Sequence, residues 1–213
     1  TLDNSPISDE ILQKLIDTVQ NSNADAMVFS DFRHGIFNRM SVPSLTNVIP
    51  KEMFKVADSQ VASRWGNITE FKEFDLITPN EREARFALAN QDSGVGRLAT
   101  FLQESCAYKN LILKLGDRGI FCVADDEEFK SHAFSIDTFA NNVVDAVGAG
   151  DALLAYATLS KLATGSLVTA GILGSMAAAC ECEYDGNIPI KPENLLSKID
   201  NVEKMVGYKT NGG

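Results

Sequence analysis

Asp145-Ala146-Val147-Gly148-Ala149-Gly150-Asp151 runs directly into Ala152-Leu153-Leu154-Ala155-Tyr156-Ala157. This stretch reads as a strand end or loop, a glycine turn and a helix start. Gly148 and Gly150 let the backbone turn sharply and leave no side chain above it. The helix behind them points unpaired N–H groups and its positive dipole end at whatever sits on the turn. Such a turn suits an anion, phosphate above all. Asp151 adds a carboxylate in the first helical turn, placed to receive a proton from an attacking hydroxyl. The same residues also fit a plain acidic start to an Ala/Leu-rich helix.

The rest of the chain bounds that reading. Its 213 residues are enough for one domain with a single core. Hydrophobic residues make up 45% and charged residues 23%, ordinary for a soluble globular chain. The apolar stretch Leu167 to Ala179 is broken by Thr169, Gly171, Gly174 and Ser175. It predicts a buried helix rather than a membrane span. The chain opens on the polar Thr1-Leu2-Asp3-Asn4, without a signal peptide or an initiator Met. It is therefore expected to be cytoplasmic and a piece of something longer.

The net charge of −10 argues against nucleic-acid and membrane partners, which need basic patches. A phosphate site must then rest on backbone N–H groups, a metal ion or a few placed cations. Cys106, Cys122, Cys180 and Cys182 lack paired C-x-x-C spacing and there are two His, so reduced buried thiols are expected instead of a zinc site.

Periodicity sets the order of elements. An amphipathic helix is predicted over Ser8 to Gln20, with Ile11, Leu12, Leu15, Ile16 and Val19 on one face. Apolar runs at Ala26–Ser30, Met53–Ala57, Phe74–Thr78 and Leu111–Leu115 predict buried strands. Helices are expected at Pro43–Ile49, Asn80–Ala89, Val95–Gln103, Gly150–Ala163, Ser166 to about Glu181, and Pro192–Met205. Ile120–Ala124 and Phe129–Ile136 predict a β-meander of edge strands around the acidic turn at Asp125 to Glu128. The tail Asn211-Gly212-Gly213 is expected to be loose. The order predicts an α/β fold with a mainly parallel central sheet flanked by helices.

Three further stretches carry candidate chemistry. Asn80 and Glu83 lie on one side of a helix start at a strand's carboxyl end. There they can hold hydrated Mg²⁺ near nucleotide phosphates, or form a capping box. Lys114-Leu115-Gly116-Asp117-Arg118-Gly119 is a strand and glycine turn where Lys114 or Arg118 can supply scarce positive charge; it also fits an ordinary tight turn. Asp31-Phe32-Arg33-His34-Gly35 follows a strand, where open α/β sheets bind ligands, although Arg33 and His34 also suit a solvated loop. Gly94-Val95-Gly96-Arg97-Leu98-Ala99 fits the dinucleotide pattern but follows a polar helix end, so it is read as a turn opening a surface helix.

Taken in this order, the stretches resemble the ribokinase-like (PfkB-type) carbohydrate kinase family. The family's Asp-x-x-Gly-Ala-Gly-Asp signature is matched by Asp145 to Asp151, its Asn-x-x-Glu by Asn80 and Glu83, and its Leu-Gly-x-x-Gly by Leu115, Gly116 and Gly119. Its Ala-rich penultimate helix, a Gly and a Pro-led last helix match Ala177-Ala178-Ala179, Gly186 and Pro189 to Leu196. The resemblance implies a ribokinase-like, Rossmann-like three-layer fold over residues 1–213. It implies ATP and Mg²⁺ as cofactors and a sugar or sugar phosphate as substrate. Asp151 would be the catalytic base, and Gly148, Ala149 and Gly150 the anion hole. Asn80 and Glu83 would arrange Mg²⁺ through water. Lys114, Gly116 and Gly119 would line the nucleotide site, although the family more often has Thr or Ser at the Lys114 position. Ser175 falls where a residue close to the adenine is found. Asp145 and Val147 sit where some members bind a monovalent cation such as K⁺ through loop carbonyls.

Asp31 and Asp58 are similar to strand-ending residues of the branch containing heptose-phosphate kinase domains, which places Asp31 on the substrate. Nothing here matches the family's N-terminal Gly-Gly-x-x-x-Asn sugar motif and β lid, through which members often form homodimers. The phosphoryl-transfer half is thus expected without the sugar-recognition half, with weak nucleotide binding, little turnover and an unpaired sheet edge. A non-catalytic sensing module of the same fold and a nucleoside kinase are the alternatives.

Overall fold

The structure is a computed structural model that describes residues 5–32, 34–60, 68–124, 132–205 and 207. Arg33, the acidic turn at 125–128 and the tail at 211–213 lie outside the described residues. The fold groups into two compact units, one of residues 1–115 and 121–134, the other of residues 116–120 and 135–213.

The first unit opens with helix α1, Asp9–Gln20, whose N-cap Ser8 accepts the Ile11 N–H. Strand β1 (Ala26–Asp31), helix α2 (Ser41–Thr46), strand β2 (Phe54–Ser59), a 3₁₀ turn at Ile68–Glu70 and strand β3 (Leu76–Ile77) follow. Helices α3 (Glu81–Ala87) and α4 (Val95–Cys106) lead to strand β4 (Asn110–Lys114). Strands β5 (Ile120–Ala124) and β6 (His132–Ile136) complete a six-stranded sheet in the order β1-β2-β3-β4-β5-β6. The pairs β1–β2, β2–β3 and β3–β4 are parallel. Strand and sheet order coincide; among the described residues α2 lies between β1 and β2, the 3₁₀ turn between β2 and β3, and α3 with α4 between β3 and β4, long connections of the kind parallel pairing requires.

Val19, Val42, Leu45, Leu98 and Leu102 from the helices meet Phe29, Ala57, Ile77, Leu111 and Leu113 from the sheet. Phe29, Phe71 and Phe74 meet edge to face at 5.2–5.8 Å between ring centroids. The predicted element order holds, with local corrections. Strand β3 is shorter than Phe74–Thr78: Asp75 and Thr78 still donate their N–H groups to Lys55 O and Ala57 O of β2, but the strand itself is Leu76–Ile77, and Pro79 has no N–H to extend it. Helix α2 starts at Ser41 and carries Pro43 in its first turn, where a missing N–H costs nothing. Gly94 opens α4 after a bend rather than a strand, and α4 lies on the surface, burying Leu98, Ala99, Leu102 and Cys106 while Gly96, Arg97, Thr100 and Glu104 are exposed.

The second unit holds α5 (Ala149–Thr164), α6 (Leu167–Cys182) and α7 (Pro192–Met205). A methyl group on Gly174 of α6 would lie 3.1 Å from Ala157 Cβ and Leu153 O of α5, so even an alanine there would need its neighbours to give by a few tenths of an ångström. Met176, Ala177 and Leu195 join α6 to α7, and the Tyr156 hydroxyl donates to Ile190 O at 2.9 Å. Among the described residues, no helix is long and apolar enough to cross a membrane.

Candidate active site

In the first unit, polar residues gather at the carboxyl ends of the parallel strands. Asp31 ends β1 opposite Ser59 and is buried, and Asp58 pairs with Ser30 one position earlier. Asp58 Oδ1 accepts the Thr78 hydroxyl at 3.0 Å and the Lys114 ammonium at 2.8 Å. The Lys114 and Asp58 side chains are 16% and 5% exposed, so this is an ion pair largely withdrawn from water.

Asn80 and Glu83 form a complete capping box at the start of α3. Asn80 Oδ1 accepts the Glu83 N–H at 2.8 Å, and Glu83 Oε2 accepts the Asn80 N–H at 2.7 Å. Asn80 Nδ2 also donates to Glu83 Oε1 at 2.6 Å, so both carboxylate oxygens are oriented by one residue. Glu83 is 6% exposed. A carboxylate and an amide oxygen are hard donors of the kind Mg²⁺ takes, and their mutual bonds suit contact through the ion's water rather than direct ligation.

In the second unit, Gly148 is the N-cap of α5 with φ +89°, and among the described residues no side chain caps this helix start. Only glycine adopts that backbone without strain. Asp151 is half-buried in the first turn of α5, and Gly150 opens the helix with Ala149. The preceding loop is laced to the end of α6: the Val144 and Asp145 N–H groups both donate to Cys182 O, at 2.7 and 3.2 Å. Asp145 Oδ1 accepts the Val147 N–H at 3.0 Å, which holds the turn.

Glu181, which sequence reasoning missed, packs against this turn. It is 2% exposed, Oε1 accepts the Ile188 N–H at 2.9 Å, and Oε2 is buried without a hydrogen-bond partner. A carboxylate set between Cys180 and Cys182, directly after the apolar run of α6, was the available signal, since such a group is seldom buried without a specific reason.

Ser175 is buried on α6, its Oγ without a hydrogen-bond partner. Gly116 and Gly119 bracket a 3₁₀ turn with φ of +66° and +79°, and a methyl group on Gly119 would collide with Ile136 O. His34 is exposed in the loop after β1. A cavity of about 240 Å³ opens beside α7 between Cys180, Tyr184, Asn194 and Lys198; none of the expected site residues lines it. Lys198 is buried there against the Glu183 carboxylate. Burial raises the Cys180 and Cys182 thiols above their ordinary value, with Glu183 adding to both.

Comparison with known proteins places this geometry in context. The bifunctional protein HldE of Desulfatibacillum aliphaticivorans is 25% identical over 210 residues, covering 95% of this chain and 41% of that protein. HldE of Helicobacter pylori strain HPAG1 is 24% identical over 180 residues, covering 82% of this chain and 37% of that protein. The chain thus spans about two fifths of the length of these curated relatives. Phosphofructokinase-2 from Escherichia coli, solved in complex with potassium, superposes with a TM-score of 0.77 at 17% identity, over 93% of this chain and 64% of that one. Ribokinase of Arabidopsis thaliana, complexed with ribose and ATP, gives 0.65 at 19% identity, over 92% and 60%. The fold is therefore ribokinase-like. The family model described as pfkB family carbohydrate kinase matches residues 45–194, and the chain belongs to that family.

Proposed function

We propose that this chain is the nucleotide-binding and phosphoryl-transferring portion of a kinase that moves a phosphoryl group from ATP to a hydroxyl of a sugar or sugar phosphate. The observation that carries the reading is the start of α5. A left-handed Gly148 opens a sixteen-residue helix that no side chain among the described residues caps, and Asp151 stands in its first turn. In a pfkB-family chain this pairs an anion-binding helix terminus with a base.

Each residue then has a task. Asp151 accepts the proton of the acceptor hydroxyl as it attacks. The amides of Gly148, Ala149 and Gly150, with the dipole of α5, meet the charge on the transferred phosphoryl group. Asn80 and Glu83 would hold Mg²⁺ through its water, and the ion would supply neutralisation of phosphate charge. Gly116, Gly119 and Ser175 line the nucleotide site. The loop at Asp145 and Val147 takes a monovalent cation such as K⁺. Asp31, buried at the end of β1, contacts the acceptor. The Asp31-Phe32-Arg33-His34-Gly35 and Asp58-Ser59-Gln60 stretches favour a heptose phosphate as that acceptor. The complete protein works in the cytoplasm as a homodimer.

The test is Asp151→Asn in the complete polypeptide, assayed for ATP-dependent phosphorylation of candidate sugar phosphates. A positioned base contributes roughly 10²–10⁴-fold, so transfer should fall by that factor while nucleotide binding persists. Undiminished transfer removes Asp151 from its role and the reading with it.

A further inference from the structure

Lys114 departs from the Thr or Ser that the family more often places there, and the structure gives the residue a definite task. It is the last residue of β4, and its N–H donates to Pro79 O at 2.9 Å, next to Asn80. Asn80 and Lys114 form a parallel β-bridge. The Lys114 side chain crosses the end of β3 to reach Asp58 at the end of β2. The Thr78 hydroxyl of the intervening segment donates to the same Asp58 oxygen. One carboxylate oxygen therefore ties three neighbouring strand ends together. Pro79 and Asn80 lie between the Thr78 donor and the bridge to Lys114, at the corner that launches α3 and its capping box.

A buried ion pair is a weak source of stability, because desolvating both charges offsets most of their attraction. Packing alone does not call for one here. Its location does: the carboxyl edge of a parallel sheet is where such folds bind ligands.

We propose that Asp58 and Lys114 form a positioning pair for the metal–nucleotide end of the site, fixing the corner that carries Asn80 and Glu83. The proposal rests on the kinase reading and names residues that act through others rather than on the reacting atoms. Outer partners of this kind typically change metal affinity by 10–100-fold when lost.

The experiment is a double-mutant cycle in the complete polypeptide, with Lys114→Met, Asp58→Asn and the double variant. Each single variant should raise KM for ATP at fixed Mg²⁺ by roughly 10–100-fold, and kcat should fall by less. The double variant should be no worse than either single one, since both break the same contact. Lys114→Arg should recover part of the loss by restoring the charge pair. Circular dichroism and thermal melting accompany each variant. The double variant leaves no orphaned buried charge, so it reports even where a single variant fails to fold.

If Lys114 touched phosphate directly, Asp58→Asn would free it and leave KM unchanged or lower while Lys114→Met raised it; that pattern overturns the pair. So does an unchanged KM in both. Calorimetric titration of the wild-type protein with ADP and Mg²⁺ separates the two levels. Binding that the variants do not disturb sinks the positioning role alone. No binding and no transfer by the wild type sinks the kinase reading and the proposal together.

Discussion

Glu181 turns its carboxylate onto Gly148: a methyl group at Gly148 would lie 2.7 Å from Glu181 Oε1 and 2.7 Å from Asn187 Oδ1. The glycine is thus favoured by its positive φ, and the side chains packed above it would also have to shift to admit a Cβ. Gly186 separates the two requirements, because it has φ +82° and nothing within 4 Å of an added methyl group. Gly186→Ala should cost only the left-handed backbone penalty, about 1–2 kcal/mol. Gly148→Ala should cost more than that and displace the start of α5, lowering phosphoryl transfer as well. Urea unfolding of both variants checks this. Equal losses would mean that Glu181 and Asn187 yield freely.

Glu181 itself should tolerate loss of charge but not loss of shape. Its Oε1 satisfies the Ile188 N–H, while Oε2 is buried without a hydrogen-bond partner. Glu181→Gln keeps a carbonyl oxygen for Ile188 and removes a charge that is costly to bury. Its melting temperature should equal or exceed that of the wild type. Glu181→Ala orphans the Ile188 N–H, a loss of about 1–3 kcal/mol before any cavity is counted. A Glu181→Gln protein as unstable as Glu181→Ala would show that the charge itself is needed at this turn.

The capping box gives a way to divide a structural role from a chemical one. Asn80→Ser retains a side-chain oxygen for the Glu83 N–H but loses the Nδ2 bond to Glu83 Oε1. Stability should stay near wild type, whereas Asn80→Ala should lose about 1 kcal/mol with the cap. Both variants should raise the Mg²⁺ concentration needed for half-maximal transfer, by roughly 10–100-fold, because Glu83 Oε1 is no longer held and only the backbone N–H on Oε2 remains. If Asn80→Ser leaves the Mg²⁺ requirement untouched, Asn80 serves α3 and nothing else.

These residues also show how much of the molecule is legible in its sequence. Local interactions are: Ser8, Asn80 with Glu83, and Ser166 each cap a helix within the next three residues. The apolar runs locate the four parallel strands to within a few residues, because a strand buried on a parallel sheet has little choice but to be apolar. Contacts between distant segments are not legible. Lys114 and Asp58 meet across 56 residues, and neither has a neighbour in sequence that announces the other. Glu181 faces Gly148 only because α6 returns alongside the start of α5. The glycine signature could be read, but the side chains that demand a glycine there could not.

The buried cysteines make the molecule sensitive to alkali. Burial pushes the Cys106 and Cys122 thiols from 9.0 up to about 12. Above pH 9 the unfolded chain releases these protons while the folded chain still holds them. The unfolded state then binds fewer protons, so stability is full below pH 9 and falls as pH rises toward 12. The slope is up to about 1.4 kcal/mol per pH unit for each thiol. Cys106→Ala should lower stability at neutral pH by removing packed core volume, yet flatten its decline with alkali by one thiol's share. Urea midpoints of the wild type and Cys106→Ala, followed from about pH 8 to about pH 10.5, measure that difference in slope. The half-buried Cys182 should react with a thiol reagent in the native protein well before Cys106 and Cys122. Parallel alkaline slopes, or early labelling of Cys106, would mean that this thiol reaches water in the folded state.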